Sequence, residues 1–159
     1  MIETEYDVVV AGYGPVGETC ANLLGYYGIK ALILDKEKNA YPLPRAITWD
    51  AECQRAMSHC EFLSEVKTRK IRGVDNKDAN KKSIMKITME GFDTYNYQHR
   101  ILFIHQPQFD EAHRENAEKY STNTIKTGSE LIAVDEINGV VNCTYKNIDT
   151  NEQFKVTSK

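Results

Sequence analysis

The sequence predicts an α/β fold that opens with a parallel β–α–β unit, and three features of its beginning indicate this. The run Val8–Ala11 is short, continuous and apolar, as is typical of a parallel strand covered on both faces. The segment Gly12–Gly17 follows at once and reads GYGPVG, which fits the pattern G-x-G-x-x-G. A second apolar run, Ala31–Leu34, ends in the acidic residue Asp35. Strand, glycine turn, helix and strand therefore follow in the order that such a unit requires.

The helix between the two strands is predicted from about Pro15 to Tyr27. One of its faces carries mostly small residues at helical spacing, which lets a helix pack closely on a sheet. These residues are Gly17, Ala21, Leu24 and Gly28. The last of them is placed to end the helix.

The glycine pattern has a chemical meaning in this context. The first glycine permits a tight turn, the second lets the backbone approach a pyrophosphate, and the third lets the helix pack on the strand. Asp35 follows Gly12 by roughly the 20 residues expected of an acid that binds the hydroxyl pair of a ribose. An acid here disfavours a 2′-phosphate, so NADP is not expected in this site. The sequence therefore predicts a Rossmann-like dinucleotide site, and the alternative is a glycine-rich turn without a ligand.

Composition narrows the class of protein. The chain has 159 residues, about the length of one domain. Its net charge of −3 creates no field that favours nucleic acid. Its apolar runs are far shorter than the roughly 20 residues of a membrane span. The acidic start, Met1–Glu5, resembles neither a secretory nor a mitochondrial signal, so we expect a cytoplasmic protein that binds neither nucleic acid nor membrane.

Cysteine and histidine patterns do not indicate a metal site. The four cysteines form no C-x-x-C motif, and free thiols in a reducing compartment are expected. The four histidines show no ligand spacing. We therefore predict no metal.

A proline-marked loop, residues 36–44, leads to Arg45. The guanidinium fork of an arginine suits a phosphate well. Spacing alone, however, favours an exposed loop arginine, and both interpretations stay open.

The remaining chain predicts a series of further elements. We expect a helix from Asp50, its N-cap, to Val66, and a polar, basic loop flanked by strand ends at residues 67–82. Further expected elements are strands at 83–89 and 101–105, an extended piece at 91–97, a helix from about Pro107 to Tyr120, a strand beginning at Ile125, and a β-meander. The meander has its hairpin at Asn138-Gly139 and its third strand at residues 153–157.

The spacing of these elements predicts an insertion. In a nicotinamide-binding unit the third parallel strand follows the second promptly. Here a loop, a helix and several extended segments intervene. We therefore interpret the sheet as interrupted, with about residues 72–100 as the start of an inserted substrate lobe.

Three separated motifs resemble one family in the right order. They are VVVAGYGPVG at residues 8–17, YPLPRA at 41–46 with Asp50 nearby, and FIHQPQ at 103–108. They resemble the N-terminal part of the single-component FAD-dependent aromatic hydroxylases, with 3-(3-hydroxyphenyl)propionate hydroxylase-like enzymes as the nearest branch. The resemblance runs the whole length and is strongest at 7–50 and 101–112.

The resemblance implies a role for each residue of the FAD site. The pyrophosphate would be lined by Gly12, Gly14, Pro15, Val16 and Gly17. Asp35, where the family commonly has Glu, would hold the adenosine ribose, with Lys36 beside it. Arg45 and Ala46 would pass along the phosphate and ribityl side, Gln106 would contact the FAD chain, and Leu131 would lie near the adenine. No residue is assigned as a catalytic acid or base.

The resemblance also implies an activity and an incomplete domain. Family members reduce FAD with NADH or NADPH and transfer one oxygen atom of O2 to a small phenolic or aromatic substrate. They are several times longer, so residues 1–159 are interpreted as an apparently truncated FAD-binding domain. In agreement, Val8–Ala11 has one obvious parallel partner, which predicts an exposed apolar edge. Self-association or a complementing C-terminal piece is expected there.

Two other functions remain open. One is another FAD- or NAD-dependent oxidoreductase that shares the glycine turn. The other is a truncated, non-catalytic remnant. Whether this chain alone is an enzyme is left open.

Overall fold

The computed structural model describes residues 2–43, 45–58, 66–88 and 101–158. The chain forms two compact units, one built from Met1–Leu43 with Asp110–Lys159 and the other from Pro44–Phe109. In chain order the elements are β1 (Ile2–Tyr6), β2 (Val8–Ala11), α1 (Pro15–Tyr26), β3 (Ala31–Asp35), β4 (Ala46–Asp50), α2 (Ala51–Ala56), β5 (Thr68–Lys70), β6 (Gly73–Lys77), β7 (Ser83–Thr88), β8 (Ile101–His105), α3 (Gln106–Glu118), β9 (Asn123–Thr127), β10 (Ser129–Ile137), β11 (Val140–Asn147) and β12 (Gln153–Ser158).

The first unit contains the predicted parallel sheet, in the strand order β2-β3-β9. Val8 lies opposite Ala31 and Ile33 lies opposite Ile125, so both pairings are parallel. The middle strand β3 is buried over its apolar run. The β–α–β unit and its strand bounds are therefore confirmed, and Gly28, at φ +70°, follows the helix as expected.

Strand β2 is less buried than its sequence predicts. Among the described residues it pairs with β3 alone and forms the edge of the sheet. Its valines are only half-buried and Ala11 is exposed. Val9 nevertheless packs on the cluster of Leu32 and Leu34, and Val10 packs on the cluster of Ala21 and Ile33, so both faces are covered as expected, though only in part. The expected apolar edge is present in the described chain.

The two faces of the parallel sheet pack against different partners. On one face Ala31 and Ile33 pack with Ala21 of α1 and Ala117 of α3. On the other face Leu32 and Leu34 join a cluster supplied by the meander strands, whose buried members include Tyr6, Cys143, Tyr145 and Val156. The alternation of side chains along β3 thus divides the core into two layers.

The meander forms a sheet in the order β1-β12-β11-β10. Its hairpin turns at Asn138 and Gly139, whose φ angles of 54° and 77° suit a tight two-residue turn. Strand β1 pairs in parallel with β12, which the sequence analysis missed. The extended chain changes sheet at Asp7, whose carboxylate accepts a hydrogen bond from the Lys30 N–H at 3.0 Å.

The second unit holds an antiparallel sheet, β4-β8-β5, and a hairpin of β6 with β7. Trp49 and Phe109 meet edge to face, with ring centroids 5.5 Å apart. The inserted segment 72–100 falls within this unit, and its role as the start of a substrate lobe stays a prediction.

Two expectations in this unit need correction. Asp50 is the N-cap as predicted, since its carboxylate accepts a hydrogen bond from the Cys53 N–H at 2.8 Å. The predicted end of the helix at Val66 is wrong, because α2 ends at Ala56 and Val66 lies in a bend. The basic segment 67–82 holds strands β5 and β6 rather than a loop. Both strands are exposed, so their polar sequence lacks the alternation that marks a strand. The later helix residues 59–65 and the extended piece 91–97 lie outside the described residues.

Candidate dinucleotide-binding site

The first and third glycines of the turn are required by the fold itself. Gly12 has a φ of 102°, a backbone angle that residues with a side chain rarely adopt. A Cβ on Gly17 would lie 1.9 Å from the carbonyl oxygen of Gly12 and 3.6 Å from Cγ1 of Val10. Helix α1 therefore approaches β2 as closely as backbone allows, and its first turn is fixed against the strand end.

The second glycine leaves the mouth of the helix open. Gly14 is the N-cap of α1, and a Cβ built on it would meet nothing within 4 Å. Pro15 occupies the first helical position, and Val16 is 79% exposed. Backbone N–H groups at an accessible helix start, with the positive end of the helix dipole, form an arrangement that binds anions such as phosphate.

Asp35 lies beside this turn and is held by two backbone amides. Its Oδ2 accepts a hydrogen bond from the Tyr13 N–H at 2.7 Å, and its Oδ1 accepts from the Glu37 N–H at 2.8 Å. A carboxylate has about four acceptor positions. Asp35 therefore keeps acceptor capacity for hydroxyl groups while its orientation is fixed.

A cavity of about 280 Å³ opens where β2 and β3 end and β10 begins. This volume is at the lower end of ligand pockets, roughly 300 Å³. The cavity brings four of the predicted site residues together with four others. Its lining residues are Ala11, Gly12, Leu34, Asp35, Lys36, Ser129, Glu130 and Leu131. It lies at the carboxyl ends of parallel strands, where open α/β sheets bind their ligands.

Three predicted residues belong to the second unit. Arg45 is exposed just before β4, Ala46 begins that strand, and Gln106 is buried at the start of α3. Their expected contacts with the FAD chain stay predictions.

Sequence analysis missed a buried polar cluster behind the turn. Arg114 of α3 donates through Nε to Oε1 of Glu18 at 2.7 Å and through Nη2 to the carbonyl oxygen of Tyr13. Its guanidinium carbon also lies 4.5 Å from the centroid of the Tyr13 ring. Glu18 is fully buried, and Asp110 nearby is almost so. Helices α1 and α3 are therefore joined by the hydrogen-bonded pair of Glu18 and Arg114 beneath the glycine turn.

The electrostatics of this cluster favour a protonated carboxyl. Burial raises the pKa of Glu18 to about 8, with Asp110 adding to the rise and Arg114 opposing it. Burial also raises the pKa of the Tyr13 hydroxyl, which stays neutral. No sequence signal marked the cluster, because an acid in a first helical turn and an Asp–Arg pair four residues apart are both ordinary surface patterns.

Residues 5–159 match the family described as FAD binding domain. The chain belongs to the FAD-binding domain family. Its glycine turn, its open helix mouth and its carboxylate at the strand end fit the diphosphate and ribose of that cofactor. FAD is accordingly the cofactor of this domain.

Among curated relatives, the chain is 26% identical to a 3-(3-hydroxy-phenyl)propionate/3-hydroxycinnamic acid hydroxylase from Comamonas testosteroni, over 95% of this chain and 26% of that protein. Among solved structures, p-nitrophenol 4-monooxygenase from Pseudomonas putida matches with a TM-score of 0.80 and 21% identity, over 99% of this chain and 40% of that one. The flavin-dependent monooxygenase PieE, in complex with FAD and substrate, matches with a TM-score of 0.77 and 14% identity, over 99% and 30%.

These matches confirm the resemblance read from the sequence and the Rossmann-like α/β fold with its meander. The chain spans about a quarter of the first of these proteins and 30–40% of the two solved chains. None of the helices in the described ranges is both long enough and apolar enough to cross a membrane.

Proposed function

We propose that this chain is the FAD-binding portion of an NADH- or NADPH-dependent monooxygenase that hydroxylates a small phenolic or aromatic substrate with O2. Two relatives named above support the substrate class, since one is a 3-(3-hydroxy-phenyl)propionate/3-hydroxycinnamic acid hydroxylase and the other a p-nitrophenol 4-monooxygenase. The proposal assigns the reaction to the cytoplasm, where both reductants are available.

One observation carries the cofactor part of this proposal. The carboxylate of Asp35 is held by the Tyr13 amide, at 2.7 Å, on the wall of a cavity that also includes Gly12 and Leu131. An acid fixed between a glycine turn and a pocket at the strand ends suits a ribose whose diphosphate reaches the helix mouth.

The proposed roles are those that the family resemblance implies for these residues. Gly12, Gly14 and Gly17, with Pro15 and Val16, would line the diphosphate. Asp35 would accept hydrogen bonds from the ribose hydroxyls, Lys36 would lie beside them, and Leu131 would cover the adenine. In the second unit, Arg45, Ala46 and Gln106 would follow the ribityl chain. The lobe beginning at about residue 72 would contribute to the substrate side.

FAD, when bound, supplies the electron transfer and oxygen chemistry, and the protein positions it. The residues of this chain bind and orient the adenosine and diphosphate half. The cavity around Leu131 would exclude water from the adenine. Among the described residues we assign none as a proton donor or acceptor of the reaction.

Fluorescence titration of the purified chain with FAD tests the proposal. We expect saturable binding that survives desalting and is lost or strongly weakened in Asp35→Ala and Arg45→Ala. Asp7→Ala is the matched control, because Asp7 also accepts a backbone N–H but at the opposite end of the sheet. It should bind FAD as the unmodified chain does.

Competition separates the proposal from its alternatives. NADH that displaces a fluorescent adenosine probe better than FAD does would favour a nicotinamide-dependent oxidoreductase. Flat titrations with both nucleotides, together with concentration-dependent self-association in sedimentation, would instead favour a non-catalytic remnant.

A further inference from the structure

We propose that Arg114 is a positioning residue of the dinucleotide site: it fixes the Tyr13–Gly14 peptide so that the Gly14 N–H is presented to the diphosphate. This inference rests on the proposed function for the identity of the ligand. It rests on the structure of the turn alone for the peptide orientation.

The Tyr13 residue is held from both sides of its backbone. Its N–H donates to the Asp35 carboxylate at 2.7 Å, and its carbonyl oxygen accepts from Nη2 of Arg114. The peptide group between Tyr13 and Gly14 is planar and trans, so its C=O and N–H point in opposite directions. A carbonyl bound to Arg114 therefore turns the Gly14 N–H away from α3.

Arg114 is suited to hold this orientation because it is itself immobilised. Its Nε donates to Glu18 at 2.7 Å, and its guanidinium carbon lies 4.5 Å from the centroid of the Tyr13 ring. Its side chain is only 15% exposed, and that of Glu18 is fully buried. A planar guanidinium can donate in two directions at once, which a lysine ammonium on a flexible stem does poorly.

Because the space at Gly14 is open, the oriented N–H group is accessible to a ligand. A Cβ on Gly14 would meet nothing within 4 Å, although Tyr13 beside it is almost fully buried. The turn is therefore packed on the α3 side and open at Gly14. A preorganised N–H group facing a negatively charged ligand avoids the cost of turning a peptide group when the ligand binds.

The first test uses the 159-residue chain without ligand. We expect the ¹H–¹⁵N resonance of Gly14 to move in Arg114→Gln and also in Arg114→Lys. It should stay in place in Arg55→Gln, which removes a surface arginine paired with Glu52 in the second unit. An unmoved Gly14 resonance in Arg114→Gln would overturn the proposed anchoring, whether or not the chain binds FAD.

The second test compares ligands with and without phosphate. We expect Arg114→Gln to weaken ADP and FAD about tenfold, the effect of losing one well-oriented hydrogen bond to a charged group. Adenosine should bind unchanged. Arg114→Lys should weaken ADP nearly as much although it keeps the charge, and Glu18→Gln should bind within about twofold of the unmodified chain because its amide oxygen still accepts from Nε.

The outcomes separate the two proposals. Equal loss of ADP and adenosine would mean that Arg114 is merely structural, and unchanged ADP binding would mean that it does not position the turn. If the unmodified chain binds neither FAD nor ADP, the proposed function fails, while the Gly14 resonance still decides the anchoring. If Arg114→Gln does not fold, the double variant Glu18→Gln/Arg114→Gln leaves no unpaired charge in this pair and gives the same comparison.

Discussion

A Cβ on Gly17 would lie 1.9 Å from the carbonyl oxygen of Gly12 and 2.9 Å from its carbonyl carbon. Both atoms are backbone, so they cannot move aside as a flexible side chain would. The contact places the first turn of α1 directly on the end of β2. The position of the amides in the first turn of α1 is therefore set by the absence of a side chain at Gly17.

This contact predicts that Gly17→Ala destabilises the fold by about 3 kcal/mol, the upper range for overpacking in a rigid site. Gly14→Ala is the matched variant, because its Cβ meets nothing within 4 Å. It should lower stability by about 1 kcal/mol at most, as expected for an N-cap change, yet weaken FAD. Urea unfolding measures the first effect and FAD titration the second. Equal stability losses in the two variants would contradict the packing argument.

Substitution of Asp35 should have a second effect, on ligand affinity, that can be measured separately. In Asp35→Asn an NH2 group replaces one of the two carboxylate oxygens. Because the Tyr13 and Glu37 amides bind different oxygens of Asp35, one of them would then face a donor. We expect at least tenfold weaker binding of ADP and adenosine alike, because the ribose contact serves both ligands. Calorimetric titration gives both affinities. Asp7→Asn, the control at the other end of the sheet, should leave them unchanged, and a loss confined to ADP would argue against a ribose contact.

The parallel unit could be read from the sequence because local and tertiary requirements coincide there. An apolar run, a glycine turn and small residues on one helix face all indicate the same packing, and β3 is buried as its composition predicts. Asp35 could be located because its distance from the turn is set by one helix and one strand. Leu131 was placed by resemblance, and its position on the same cavity wall as Asp35 depends on how the meander folds back.

The second unit and the buried cluster could not be read in the same way. Strands β5 and β6 are exposed, so no alternation distinguishes them from a loop. The Glu18–Arg114 pair joins residues 96 positions apart, and neither residue has a local feature that indicates burial. The parallel pairing of β1 with β12 likewise joins the two ends of the described chain. Such contacts depend on topology, which one sequence does not specify locally.

Glu18 predicts a pH dependence of stability whose sign follows from its pKa. The pKa of Glu18 rises from 4.5 in the unfolded chain to about 8 in the folded one, chiefly through burial. The folded chain therefore binds this proton more tightly. The resulting stabilisation is full below pH 4.5 and is lost as the pH rises toward 8. Glu18→Gln, which mimics the protonated carboxyl, should remove this pH dependence.

Thermal unfolding at several pH values between 5 and 8.5 measures this effect. The melting temperature of the unmodified chain should fall relative to that of Glu18→Gln as the pH increases. Glu130→Gln is the control, because Glu130 is a partly exposed acid that meets Lys146 at 3.6 Å. Its melting temperature should change with pH in the same way as that of the unmodified chain. A constant difference between Glu18→Gln and the unmodified chain at every pH would show that Glu18 is ionised throughout.

A larger side chain at Leu131 should close the cavity beside Asp35 without disturbing the diphosphate end of the site. A tryptophan at residue 131 adds a large ring to a space of about 280 Å³, so Leu131→Trp should weaken adenosine and FAD at least tenfold by excluding the base. Val134→Trp is matched to it, because Val134 lies on the same strand but is 55% exposed and does not line the cavity. It should bind both ligands normally.

Inorganic pyrophosphate needs only the helix mouth. It should compete with a fluorescent ADP analogue equally well in the unmodified chain and in Val134→Trp. In Leu131→Trp the affinity for pyrophosphate itself should be unchanged. A parallel loss of pyrophosphate binding in Leu131→Trp would mean that the substitution distorts the glycine turn rather than filling the adenine pocket.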